Sequence, residues 1–136
     1  MANALYDSGR NAFATKLIDW VNDDIRAILI DTADYTVNLS THDMLDDIPV
    51  AARVAVSSAS LAGKSASAGV CDANDLTFSA VTGDVSEAIV LYLHTGVEST
   101  SRLIAYIDSA TGLPVTPNGG NITVAWDNGA NKIFKL

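Results

Sequence analysis

The chain has 136 residues, with 8 Lys and Arg against 16 Asp and Glu, a net charge of −8. Hydrophobic residues make up 49% and charged ones 18%, and a mean hydropathy of +0.23 excludes whole-chain disorder. Eight scattered cations form no basic patch, which argues against nucleic-acid binding through phosphate neutralisation. The length predicts one domain, and the residue pattern makes it β-rich over residues 1–136, with an N-terminal helical or arm segment (1–20) and a sandwich body (24–136).

Asn3 to Leu17 predicts the helix. Asn3 is its expected cap and Tyr6, Phe13 and Leu17 its apolar stripe, with Gly9 weakening it. The acidic break Asp19-Trp20-Val21-Asn22-Asp23-Asp24 follows, and Ile25–Ile30 then reads as a strand apolar on both faces, as in a central strand. Thr41 to Asp46 predicts one helical turn capped by Thr41 and stopped before Pro49. Ser57 to Gly69, rich in Ala and Ser, reads as a flat or edge strand pair.

Further strands are predicted at Thr77 to Val81, Ala88 to Thr95, Arg102 to Asp108, Ile122 to Trp126 and Lys132 to Leu136. Asp127-Asn128-Gly129 predicts a tight turn that joins the last two as a hairpin. Fourteen of the sixteen acids are Asp, and Asp favours turns and caps over helix interiors. Seven or eight short strands with one N-terminal helix give a mainly β fold. The expected form is an antiparallel β-sandwich, with the jelly roll as one version.

Chemistry-bearing patterns are sparse. Gly63-Lys64-Ser65 ends like a phosphate loop, but Ser58 stands where the first glycine belongs. Neither His42 nor His94 lies in a nucleophile motif, and Cys71 beside Asp72 is a poor thiolate. Asp72-Ala73-Asn74-Asp75 opens like a calcium loop that Leu76 and Thr77 do not continue. No catalytic residue, metal site or cofactor is expected, so the protein reads as a non-enzyme. The lone Cys71 provides for no internal disulfide, no apolar run reaches a membrane helix's ~20 residues, and no signal peptide is recognisable. Trp20, at the helix-to-strand junction, is the aromatic best placed for an interface.

One resemblance covers nearly the whole chain. It is carried by Leu5-Tyr6-Asp7-Ser8-Gly9-Arg10-Asn11-Ala12-Phe13, Ile18-Asp19-Trp20, Ile25-Arg26-Ala27-Ile28-Leu29-Ile30-Asp31, Asp34-Tyr35-Thr36 and Thr41-His42-Asp43. Beyond these come Asp75-Leu76-Thr77-Phe78, Leu91-Tyr92-Leu93-His94-Thr95-Gly96, Arg102-Leu103-Ile104-Ala105-Tyr106-Ile107-Asp108 and Trp126-Asp127-Asn128-Gly129. These segments resemble small virion structural proteins of tailed bacteriophages. The resemblance, with an analogy to small β-sandwich cement proteins, implies a capsid decoration protein. Such a protein is made in the host bacterial cytoplasm, sits on the virion head surface, binds and bridges major capsid proteins and self-associates, without nucleic-acid or membrane partners. The alternatives are a tail or fibre-adaptor component and a host-carbohydrate-binding adhesion module. Candidate contacts are the segment Ala2 to Trp20 and the loop Gly96 to Ser101, with Leu5, Tyr6, Arg10, Phe13, Trp20, Val97, Glu98 and Arg102 as the expected interface residues.

Overall fold

The computed structural model describes residues 3–136; Ala2, the first residue of the expected contact segment, lies outside them. In chain order the elements are β1 (Ala4–Leu5), α1 (Asp7–Ala14), β2 (Ile25–Ile30), β3 (Arg53–Val56), β4 (Ser65–Ser67), β5 (Val70–Asp72), β6 (Leu76–Phe78), β7 (Ala88–Leu93), β8 (Leu103–Ile107), β9 (Ile122–Val124) and β10 (Phe134–Lys135). Short 3₁₀ turns lie at Leu45–Asp47, Val50–Ala52 and Glu98–Thr100. The strands pair antiparallel throughout, and the fold is mainly β with one α-helix. They form sheets of five, three and two strands, ordered β1-β8-β7-β2-β3, β10-β5-β4 and β6-β9. The two four-stranded sheets of a jelly roll therefore do not form.

Strands β2, β7 and β8 are apolar on both faces, so the large sheet needs a cover on each side. Alternation along β2 sends Ile25, Ala27 and Leu29 to one core and Ile28 and Ile30 to the other. Along β7, Ile89 and Leu91 join the first core, while Ala88, Val90 and Tyr92 join the second. The first core is completed by the smaller sheets through Cys71, Phe78, Ile122, Val124 and Phe134, with Trp20, Leu61 and Trp126. The second is closed by the irregular segment 32–52, which contributes Tyr35, Leu45, Ile48 and Ala52. A register shift between Leu91 and Tyr92 interrupts the alternation in β8. It leaves Ile104 and Ala105 both on the first core and Leu103 on the second.

The N-terminal helix is shorter than expected because the chain first makes a strand. Asn3 is no helix cap: its Oδ1 accepts the N–H groups of Asp108 and Ser109, both at 3.0 Å. Ala4 and Leu5 then pair with Tyr106 and Ala105 of β8, and Tyr6 takes the cap position in extended backbone. At the other end Lys16 is left-handed (φ 65°), Lys16 N–H donates to Phe13 O and Leu17 N–H to Ala12 O. That closure is a Schellman motif, with lysine where glycine is usual. Gly9 has a packing role. A Cβ there would lie 2.8 Å from Leu103 O and 2.9 Å from Ile104 O, so the helix rests directly on the β8 backbone.

Three further expectations are corrected. Asp127 and Gly129 do form a turn, with Gly129 N–H on Asp127 Oδ1 at 3.0 Å, but no terminal hairpin follows. Instead β9 pairs with β6 and β10 pairs with β5. Buried Trp126 enforces this, donating Nε1–H to Asn74 O (2.9 Å) and its backbone N–H to Asp75 Oδ1 (3.2 Å). Thr41 does not cap a helical turn; Asp47 Oδ2 accepts Asp43 N–H at 2.7 Å and Met44 N–H at 3.3 Å, which starts the turn at Leu45. In the Ser57 to Gly69 stretch only Ser65–Ser67 is a strand, at the edge of the three-stranded sheet. Ser57 and Ser60 instead use their hydroxyls to accept the N–H groups of Ala27 and Ile25.

Gly9→Ala tests the helix contact. Helix propensity favours alanine by about 1 kcal/mol, whereas the carbonyl clash is expected to make the variant less stable by about 1–3 kcal/mol. A higher urea midpoint for the variant would contradict the close approach.

Candidate functional site

The structure separates the expected interface residues into two groups. Leu5, Tyr6 and Trp20 are 5%, 0% and 4% exposed, so they are core residues of their own chain. Trp20 packs edge-on against Phe134 at 5.1 Å, and its Nε1–H donates to Asp72 O at 3.0 Å. The correction has a simple cause: these large side chains complete cores that the short strands alone leave open. Arg10, Val97 and Glu98 are exposed, while Phe13 and Arg102 are half-buried. Phe13 lies 5.8 Å from Phe134 and forms part of the wall between α1 and β10.

That wall borders the principal groove. One compartment, of about 460 Å³, is lined by Leu5, Arg10, Phe13, Ala14, Lys135 and Leu136. A second, of about 360 Å³, shares Leu5, Arg10 and Lys135 with it and continues to Asn3, Lys132 and Asp127. Its two long sides are β1 and β10, each the terminal strand of its own sheet. Three of the eight cations of an acidic protein converge here, against one acidic side chain, that of Asp127. Among the described residues, Arg10, Lys132 and Lys135 lie in no ion pair.

A second contact-competent surface lies at the other edge of the large sheet, beside β3. The Arg53 guanidinium donates to Leu45 O (2.9 Å), Ile48 O (2.7 Å) and Glu98 Oε1 (2.7 Å). It thereby ties the turns that precede β3 to the loop between β7 and β8. Val50, 75% exposed, and Val97, 55% exposed, sit on the tied segments, with Val56 exposed on β3 itself. Sequence reading reached Val97 and Glu98 but missed Val50 and Arg53, because their partners are distant in the chain.

The remaining polar groups are largely committed to structure. Tyr6 and Tyr35 share a buried hydroxyl hydrogen bond of 2.9 Å, and the Tyr35 hydroxyl lies 2.8 Å from His42 Nδ1. Burial raises both phenols, Tyr35 to about 12 and Tyr6 further. Burial also pushes the Cys71 thiol up to about 11, which keeps it protonated. Lys64, in the glycine-lysine-serine sequence, donates to Asp23 O and to Ser60 Oγ, and a strand rather than a helix follows it. Among the described residues no serine or cysteine is hydrogen-bonded to a histidine. One acidic triad, Asp31, Asp34 and Asp84, brings carboxylate oxygens within 4.8 Å of one another. Asp31 is buried and already accepts Ala33 N–H at 2.9 Å, while the other two acids are exposed. Sequence reading missed this triad because Asp84 comes from a distant loop.

Two predictions follow from these groups. Tyr35→Phe leaves the Tyr6 hydroxyl buried without its partner, at an expected cost of about 1–3 kcal/mol. Adding Tyr6→Phe should then cost less than it does alone, and strict additivity in the double-mutant cycle would refute the coupling. The second concerns acid. The Arg26 hydrogen bond holds Asp24 below the usual carboxylate range, and the Arg53 hydrogen bond does so for Glu98. Burial pushes Asp47 up, but hydrogen bonds from Asp43 and Met44 outweigh it and the net shift is downward. A lowered carboxyl stabilises the fold above its unfolded value, near 4, and loses that contribution as pH falls through its folded value. The urea midpoint is therefore expected to fall between about pH 5 and pH 2, with Asp47→Asn flattening the drop; an equally steep fall in that variant would remove Asp47 from the account.

No protein-family model matches the chain, and no curated protein is similar to it.

Proposed function

We propose that the chain is a non-enzymatic structural protein of a tailed-phage virion, a capsid decoration protein that binds and bridges major capsid proteins. The observation that carries this reading is the placement of two contact-competent surfaces at opposite edges of one five-stranded sheet. The cationic groove lies beside β1; Val56 is exposed on the opposite edge strand β3 with Val50 just before it in the chain, and Val97 lies on the β7–β8 loop that Glu98 joins to Arg53. A rigid sheet with a sticky surface at each edge suits a bridge between neighbouring subunits. The resemblance to small phage virion proteins, nearly end to end, supports the same reading.

The physical logic of cementing is linkage. Contacts that exist only in the assembled shell stabilise that shell by mass action and oppose the pressure of packaged DNA. A net charge of −8 suits a protein on the outer face, away from DNA. Association among its own copies would extend the bridging across the shell. No helix among the described residues is long and apolar enough to cross a membrane.

Copy number in purified virions tests the proposal directly. Decoration requires the many copies that coat a shell, and particles lacking the protein are expected to lose DNA at a lower temperature. A few copies arranged as a ring would place it in the tail or a fibre adaptor. Unchanged heat stability of depleted particles, with adsorption to host glycan lost instead, would make it an adhesion module.

A further inference from the structure

The groove between β1 and β10 has a shape and a charge that the fold itself does not use. Its floor is apolar, formed by Leu5, Phe13 and Leu136, the last of these 54% exposed. Its rim carries Arg10, Lys132 and Lys135, in no ion pair among the described residues. Elsewhere three cations are put to structural use, Arg26 on Asp24, Arg53 on Glu98 and Lys64 on Ser60, while Lys16 and Arg102 stand singly; among the described residues, only at the groove do three unpaired cations converge. An unpartnered cationic rim on a chain of charge −8 calls for an anion from outside.

The strand edges specify the shape of that anion. Tyr6 N–H donates to Ile104 O at 3.0 Å. In an antiparallel ladder adjacent residues direct their amide groups to opposite sides, so those of Leu5 face away from β8 and towards the groove. Strand β10 bounds the other side and pairs only with β5. Open main-chain groups beside an apolar floor are what an added strand uses: hydrogen bonds to the edge supply affinity, and alternate side chains enter pockets.

We infer that this groove is a strand-addition site for an extended segment of a partner protein in which acidic and apolar residues alternate. The apolar residues face Leu5, Phe13 and Leu136, and the acidic residues meet Arg10, Lys132 and Lys135. This deepens the proposed function, on which it rests for the partner's identity as a virion protein, by naming the chemistry of the segment that one edge of the bridge receives.

The experiment uses the isolated full chain and a labelled synthetic peptide of alternating Asp and Val, about six residues long, the length of an ordinary strand. Saturable binding is expected by fluorescence anisotropy, weakening as salt rises. Amide NMR shifts should concentrate at Leu5, Arg10, Ile133 and Lys135. Arg10→Glu combined with Lys135→Glu should weaken binding about tenfold or more, and Arg10→Glu alone should weaken it measurably, whereas Lys16→Glu, the same charge change as that single variant on an exposed residue outside the groove, should have little effect. Equal binding of a peptide with its Asp residues gathered at one end would reduce the effect to general charge attraction and overturn the proposal. So would absent binding, preferential binding of dodecanoate at the same residues, or a concentration-dependent dimer that the double variant abolishes. Because the assay contains no virion, its failure would reject the groove assignment and leave copy number as an independent test of the decoration reading.

Discussion

A sheet whose central strands are apolar on both faces must be covered twice, and this demand organises the molecule. β2, β7 and β8 offer almost no polar side chain to water, so neither face can be left open. Two small sheets cover one face with ordinary strand-on-strand packing, and the three sheets together make the sandwich. The other face receives no sheet. It is closed by segment 32–52, a run with only 3₁₀ turns, whose backbone polar groups need partners wherever they leave water.

The second cover is held largely by side chains. Arg53 donates to the carbonyls of Leu45 and Ile48, and Asp47 accepts from the amides of Asp43 and Met44. Tyr35 reaches inward to Tyr6 and outward to His42, so one hydroxyl links the cover, the N-terminal segment and the surface. The segment that resembles a free arm in the sequence is therefore a junction. Asn3 holds the end of β8, Leu5 enters one core, Tyr6 enters the other, and Gly9 lays the helix against backbone. Tyr6, fully buried, cannot also serve as a contact, whereas Leu5 borders the groove from the edge strand β1.

Charge follows the same division of labour. The Asp-rich composition is spent on local backbone: Asp19 accepts from Val21 and Asn22, Asp31 from Ala33, and Asp127 from Gly129. Such bonds hold turns, and most of these acids keep their charge at the surface, Asp31 being buried. The cations divide differently. Arg26, Arg53 and Lys64 brace loops, while Arg10, Lys132 and Lys135 meet around a groove although Arg10 lies far from the other two in the chain. A surface that is negative overall thus acquires one local cationic site, and it coincides with apolar floor and open strand edge.

Local sequence carries the mainly β character, the strand Ile25–Ile30 apolar on both faces, a strand beginning at Ala88, the N-terminal helix and the turn role of Asp. Each of these rests on local information: an unbroken apolar run, a short helical stripe, or an acid beside a strand end. Strand partners were a different matter. The Asp127-Asn128-Gly129 turn is real, yet β9 and β10 go to β6 and β5, because Trp126 finds its hydrogen-bond partners near Asp75. Gly9 reads locally as a flaw in a helix, and only the β8 carbonyls beneath it explain the glycine. Leu5, Tyr6 and Trp20 look like contact residues until the cores they fill are assembled. The groove belongs to the same class, since it exists only where β1 and β10, far apart in the chain, line one surface depression. Propensity and periodicity act over a few residues and are written in the chain; pairing, burial and surface charge depend on which distant segments meet, and tertiary packing decided those.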